Sequence, residues 1–351
     1  MTAPESAAPP IVIIGGGLSG LALACRLQQQ GRHWCLLEAR ERLGGRLFSN
    51  QGADYGAAWF WPRQPLMARW VAHFGLTVFP QWDQGQVLLQ RGGSLKRLQA
   101  PPAPPSYRLT GGMQSLVMAM ATELDSDRVF LDRAVTGLTQ TPEGVAIAYG
   151  SDGGAAPSLA SQVVIAIPPR LVQQHLQIQP PLPESLVQLH LQTPTWMAGH
   201  AKATVTYDQP FWRQQGLAMA FSETGPLREI QDASPQDASR PALFGFFGWD
   251  ARQRQQLSSR ELEAAVVSQL LSLFGEQAAE PLSLHIHDWA GDPWTATAAD
   301  QEMLNYHPHY QLGPRPQWDQ RLVFAGSESA LEYGGFAEGA LAAADAALAY
   351  L

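Results

Sequence analysis

The chain has 351 residues, enough for two domains or one elaborate one, and its 45% hydrophobic and 15% charged content is that of an ordinary globular protein. A formal net charge of -8 with no basic patch speaks against nucleic acid, whose phosphates would be repelled. Two cysteines give no disulfide framework, which fits a reducing, cytoplasmic setting, and no run of about 18 apolar residues suggests a membrane span.

Residues 1–10 lack the basic and apolar regions of a secretory signal and read as a disordered leader. Ile11, Val12, Ile13 and Ile14 form a short apolar β-branched run, suited to a parallel strand covered on both faces. Gly15, Gly17 and Gly20 follow as G-x-G-x-x-G: a tight turn, a close approach of backbone to a pyrophosphate, and close packing of the next helix. That helix spans 19–30, and its N-terminal amides, around Leu18 and Ser19, attract phosphate. Residues 34–37 return as a strand that ends in Glu38, where a carboxylate accepts both hydroxyls of an adenosine ribose and repels a 2′-phosphate. Beyond Ala39, the run Arg40-Glu41-Arg42-Leu43-Gly44-Gly45-Arg46 offers further donors along an extended diphosphate and ribityl chain. It separates FAD from NAD, which has no use for them.

LLEARERLGGR, followed by Asp54-Tyr55-Gly56-Ala57-Ala58-Trp59, resembles the flavin-containing amine oxidase family of monoamine, polyamine and L-amino-acid oxidases. The resemblance implies an α/β fold in which a Rossmann-like FAD-binding domain is assembled from residues 1–62, 107–180 and 290–351. Residues 63–106 and 181–289 then form a substrate domain with a mixed sheet and helices.

Further along, residues 65–74 read as a helix with Leu66, Trp70, Val71 and Phe74 on one side, and 87–89 with 95–98 as a hairpin around Gly92-Gly93. Pro101, Pro102, Pro104 and Pro105 mark an extended crossing, and Gly111-Gly112 opens a helix to Leu124. Short strands are expected at 129–131, 135–138, 145–149 and 163–167, the last stopped by Pro168-Pro169 and resembling the family's A-x-P-P element. A second crossing at 179–183 leads to strands at 203–207, 217–221, 227–230 and 242–247, then to a long helix at 259–274. A final strand at 321–325 and an alanine-rich helix at 335–350 complete the pattern.

The resemblance also supplies site residues. Lys202, followed by Tyr207-Asp208-Gln209-Pro210-Phe211-Trp212, matches the family's strand lysine that holds a water against the flavin. Trp294, in Asp292-Pro293-Trp294-Thr295, and Phe336, in Gly335-Phe336-Ala337-Glu338-Gly339-Ala340, match two walls of an aromatic slot that orients an amine. Pro293 stands where monoamine oxidases carry a flavin-linked cysteine, which implies non-covalent FAD. Gly326, Ser327 and Glu328 match A-G-x-E-x-A beside the cofactor, Gly335 and Ala337 open a helix aimed at the flavin pyrimidine, and Val135 matches a backbone contact to adenine.

His285 and His287 share one strand face but have no further His or Cys at ligand spacing, so no metal is assigned. The expected activity is oxidation of an amine to an imine, with dioxygen as acceptor and hydrogen peroxide as product. A flavin oxidase, desaturase or isomerase of lipophilic substrates, similar to carotenoid desaturase or protoporphyrinogen oxidase, is the runner-up. A flavin-bound partner protein without turnover stands third.

Overall fold

The computed structural model describes residues 8–100, 104–150, 154–304, 306–310 and 312–351. Pro101 and Pro102 of the first expected crossing, and residues 1–7 of the expected leader, lie outside the described residues.

Five strands form a parallel sheet in the order Leu322–Phe324, Gln162–Ile165, Ile11–Ile14, Trp34–Leu37, Val129–Phe130. Alternation along the first strand decides what covers each face. Ile11 and Ile13 point into a cluster with the helices Leu18–Gln29, Gln114–Glu123 and Ala337–Leu348. Val12 and Ile14 point the other way, onto Leu138, Val145 and Ile147 of a four-stranded sheet. Both faces are therefore dry, which is why the strand has no polar position.

The second large element is a mixed seven-stranded sheet: Ser283–Asp288, Ala201–Thr206, Ala242–Phe247, Leu227–Asp232, Leu217–Ser222, Gln86–Arg91, Ser94–Gln99. The hairpin Gln86–Arg91/Ser94–Gln99 joins the later strands through a parallel pairing with Leu217–Ser222. Helix Ser259–Phe274 covers one face, burying Val266, Leu270, Leu273 and Phe274 against Ala203, Ile230 and Phe247. It starts at a capping box in which Ser258 and Glu261 satisfy each other's backbone amides, an arrangement worth about 1 kcal/mol.

Two helices pack differently from the segment boundaries expected from sequence. Pro65–His73 lies inside the 63–106 segment, yet Met67, Trp70 and Val71 pack into the core of the parallel-sheet unit. Its first free amides, Leu66 and Met67, donate to the buried carboxylate of Glu338 at 2.9 and 2.8 Å. Glu184–Gln192, absent from the sequence reading, starts after Pro183 and buries Leu186 against the other face of the parallel sheet.

Candidate active site

A groove runs along the carboxyl ends of the parallel strands, where ligands bind in open α/β sheets. Gly15, Gly17, Leu18 and Ser19 line it beside the first strand, and Glu38, Arg40, Gly44, Gly45 and Arg46 beyond the second. Ala57, Ala166, Ile167 and Pro168 line it further along, together with Ser327 after the strand Leu322–Phe324. Gly335, Phe336 and Ala337 close it at the start of the last helix. Two helix N-termini face this space, with Gly17 and Phe336 at their caps, so both present free amides and positive dipole ends to it.

The glycines test what the groove accepts. A side chain at Gly20 would place its Cβ 1.9 Å from the Gly15 carbonyl oxygen, whereas one at Gly17 would meet nothing within 4 Å. Gly20 is thus a packing necessity and Gly17 guards open space, the division of labour a pyrophosphate requires. The residues present fit FAD: an N-terminal amide cradle, an acid for the ribose and a second helix terminus at the far end.

Glu38 is 3% exposed and accepts from the backbone amides of Gly16 (2.7 Å) and Arg40 (2.9 Å), leaving further lone pairs for ribose hydroxyls. Arg40 in turn holds both oxygens of Asp292 at 2.9 Å and donates to the Thr295 hydroxyl at 2.8 Å. Arg46 donates to Glu328 at 2.7 Å and to the Ser327 hydroxyl at 2.9 Å. Glu328, fully buried, therefore stands behind the groove wall and orients Arg46. Gly326 is close-packed against the Ile167 carbonyl oxygen. Ala39, Ala58 and Val135 lie outside the lining, and Val135 is buried two residues beyond Arg133, whose amide donates to the Glu38 carbonyl.

Lys202 is 2% exposed. Its ammonium donates to the carbonyl oxygens of Asp54 (3.0 Å) and Gly56 (2.8 Å), one residue from the groove-lining Ala57. The rings of Phe244 and Phe246 stand 4.6 and 4.8 Å from it, and Trp59 at 6.0 Å. Burial brings its pKa down to about 8, against the opposing pull of Asp54. Trp59 belongs to this aromatic box, packing on Phe244 and donating from its indole to Gln81. Asp54 is itself buried, its carboxyl pushed up by desolvation, and it accepts from the Met113 amide at 2.7 Å.

Trp294 and Phe336 both line the groove but have separate ring partners. Trp294 packs on His175 at 4.9 Å, and its segment is drawn to the Glu38 end because Asp292 binds Arg40. Phe336 stacks on His307 at 4.6 Å and 18°, meets Trp61 edge-on at 6.2 Å, and through His307 joins Trp196. Among the described residues, no ring contact joins Trp294 to Phe336. His287 is enclosed by Phe48, Tyr55 and Trp289, while His285 is exposed. Among the described residues there is no metal-ligating cluster of three.

The description "Flavin containing amine oxidoreductase" fits residues 79–348, more than half of the chain, and an NAD(P)-binding Rossmann-like domain fits residues 13–74. The chain belongs to the flavin-containing amine oxidoreductases. Among its relatives are a probable flavin-containing monoamine oxidase A of Dictyostelium discoideum, 23% identical over 94% of each chain, and a putrescine oxidase of Kocuria rosea. The latter is 28% identical over 66% of this chain and 48% of its own length. A solved cyclohexylamine oxidase from Brevibacterium oxydans shares the fold at a TM-score of 0.82 and 20% identity, covering 98% of both chains. This amine oxidoreductase is accordingly a flavoenzyme that uses FAD and acts on amines, and the lipophilic-substrate alternative is not favoured.

Several residues of the site carry no signal in the sequence. Trp61, His307, Phe244 and Phe246 belong to no motif, and they meet Phe336 or Lys202 only through the fold, with Trp196 joined to Phe336 through His307. Asp54 lies in the Asp54-Tyr55-Gly56-Ala57-Ala58-Trp59 stretch, and its backbone carbonyl accepts from Lys202 while its carboxylate accepts from the Met113 amide.

Proposed function

We propose that this amine oxidoreductase converts an amine to its imine, using dioxygen as acceptor and releasing hydrogen peroxide, with the imine hydrolysed by water. The observation that carries this is the buried ammonium of Lys202, held by the Asp54 and Gly56 carbonyls beside the groove and boxed by Phe244, Phe246 and Trp59. When bound, FAD supplies the acceptor for the hydride leaving the carbon that bears the amine.

The chain's own residues do the rest. Aromatic walls exclude water and favour the neutral form of a substrate amine over its ammonium. Lys202 holds a proton at Nζ that is lost above a pH of about 8, and in the neutral state it no longer repels an incoming cation. Phe336 forms the wall at the last helix and Trp294 a wall at the Glu38 end.

FAD is held without a covalent bond. Cys25 and Cys35, the two cysteines of the sequence, are buried in the first helix and second strand and line no part of the groove. Among the described residues no helix is long and apolar enough to cross a membrane.

The test is a peroxide-coupled screen of monoamines, diamines and amino acids on purified yellow protein, with anaerobic stopped-flow mixing to follow flavin bleaching. Bleaching by an amine, with peroxide formed in air, is the expected result. A flavin that no amine bleaches overturns the proposal.

A further inference from the structure

The strand Ala201–Thr206 divides the sheet face that carries Lys202. Lys202, Thr204 and Thr206 point to this face, while Ala201, Ala203 and Val205 pack under helix Ser259–Phe274. On one side their cross-strand partners are apolar: Phe246, Phe244 and Ala242. On the other side they are polar throughout: His287, His285 and Ser283. Thr206 and Ser283 already share a hydrogen bond at 2.6 Å. A file of hydroxyls and imidazoles thus runs from the buried ammonium to the exposed His285.

This file lines a second cleft, with Tyr55, Thr204, Thr206, Ser283 and His285 on its wall, which shares no lining residue with the FAD groove. Lys202 stands between the two spaces. It bonds the Asp54 and Gly56 carbonyls, and next to these Tyr55 lines the cleft and Ala57 the groove. Thr204 is 2% exposed, yet among the described residues none hydrogen-bonds its hydroxyl at bonding distance, although the Tyr55 phenol lies near enough to feel it. His287 Nε2, on the residue opposite Lys202, is likewise buried without a partner among the described residues. An unbonded buried hydroxyl costs stability, and inside proteins water is its usual partner. Valine has nearly the same shape without that cost, so packing gives no reason for a threonine here.

Oxidising an amine to an imine breaks a C–H bond, from which a hydride leaves to the flavin, and an N–H bond, from which a proton leaves. Passing the hydride on to dioxygen takes one proton back to complete hydrogen peroxide. One proton must therefore leave the site and one return in each cycle, while cofactor and substrate fill the groove. We propose that Thr204 relays this proton, through bridging water, between Lys202 Nζ and the solvent of the second cleft. The relay rests on the amine-oxidising reading above and gives its proton a way out. Two strand positions, about 7 Å, separate Thr204 from Lys202, a gap that water spans. The charged groups that face Lys202 are Asp54, Arg108 and Glu229, and those that face His287 are Asp288, Asp292, Arg40 and Arg42. None of them lines the cleft, whereas Thr204 does.

The sequence has two lysines, Lys202 and the exposed Lys96, so NMR of FAD-loaded enzyme carrying isotope-labelled lysine shows two ammonium signals, and Lys202→Met tells them apart. The first readout is exchange of the Lys202 ammonium protons with water, measured below the pH at which they are lost. Thr204→Val should slow it on the order of tenfold, with the melting temperature level or raised. In stopped flow the same variant should lower the limiting rate of flavin reduction by an amine and enlarge its solvent deuterium isotope effect. Thr204→Ser restores the hydroxyl and should return both readouts to near the wild type, a rescue that a packing role for the threonine methyl does not produce. An exchange rate or a reduction rate left unchanged in Thr204→Val overturns the relay and leaves the activity standing. A flavin that no amine bleaches overturns the activity, and the relay's task with it, whatever the exchange rate.

Discussion

The backbone carbonyl of Gly56 accepts a hydrogen bond from the Lys202 ammonium at 2.8 Å, tying the strand Ala201–Thr206 of the large sheet to the loop that feeds the dinucleotide groove. This cation is desolvated without an adjacent carboxylate oxygen to neutralise it, and that makes it sensitive to pH.

The folded state releases the Lys202 proton near pH 8 and the unfolded chain near 10.5. Between these values the unfolded chain holds more protons, so this group adds stability as pH rises through the window, in total roughly 3 kcal/mol. Below about pH 8 the burial penalty is present in full. Lys202→Met should remove the slope from urea denaturation measured between pH 8 and 10.5. It should also remove an ionisation near pH 8 from the rate of flavin reduction while leaving FAD bound. A variant with the wild-type pH profile would take Lys202 out of the site.

Two glycines of the same turn should fail in opposite ways. Gly17→Ala points its methyl into open groove, so the FAD-free protein should melt at the wild-type temperature while FAD affinity falls tenfold or more. Gly20→Ala drives a methyl into the Gly15 carbonyl and should cost about 2–3 kcal/mol of stability even without FAD. Thermal melts of the FAD-free protein together with flavin-fluorescence titration separate the two.

Glu328→Gln leaves Arg46 without its buried counter-charge. A loss of about 3 kcal/mol is expected, with a weaker hold on FAD because Arg46 is no longer aimed into the groove. Urea midpoints at constant m-value check the first effect, and the FAD titration the second.

Trp294 and Phe336 should separate by phenotype, since they occupy different ends of the groove. Trp294→Leu should weaken FAD binding with little change in turnover of the saturated enzyme, and Phe336→Leu should lower the rate of flavin reduction with FAD retained. Identical effects of the two substitutions would mean that the rings act on the same part of the cofactor.

Acid precipitation should release the yellow colour into the supernatant. The thiols of Cys25 and Cys35 are pushed up to about 12 by burial, so thiol reagents at neutral pH should also label neither until the protein is unfolded.

Residues 11–46 were legible in the sequence because their information is local: strand, glycines, helix and acid are each set by neighbours a few positions away. The long helix Ser259–Phe274 was legible for the same reason, with its cap and apolar stripe within one segment. The surroundings of the site were not. Arg40 reaches Asp292 across 252 positions, and that single pair sets where Trp294 stands. Helix Glu184–Gln192 escaped because it is short and opens directly after a proline-rich stretch that reads as a crossing. Helix Pro65–His73 is amphipathic from its own sequence, but which unit it joins depends on the Glu338 carboxylate at its start, 271 residues from Met67.

The order of strands in the parallel sheet has a consequence for synthesis. Gln162–Ile165 lies between Ile11–Ile14 and Leu322–Phe324, so until residue 324 has left the ribosome its outer edge has no partner. The nascent chain carries a naked strand border through the translation of more than a hundred residues, a surface open to mispairing and to chaperones. Closing that border and placing the helix Ala337–Leu348 at the groove both wait until residues 322–348 have been made, so the cofactor's cradle is complete only once these late segments have docked.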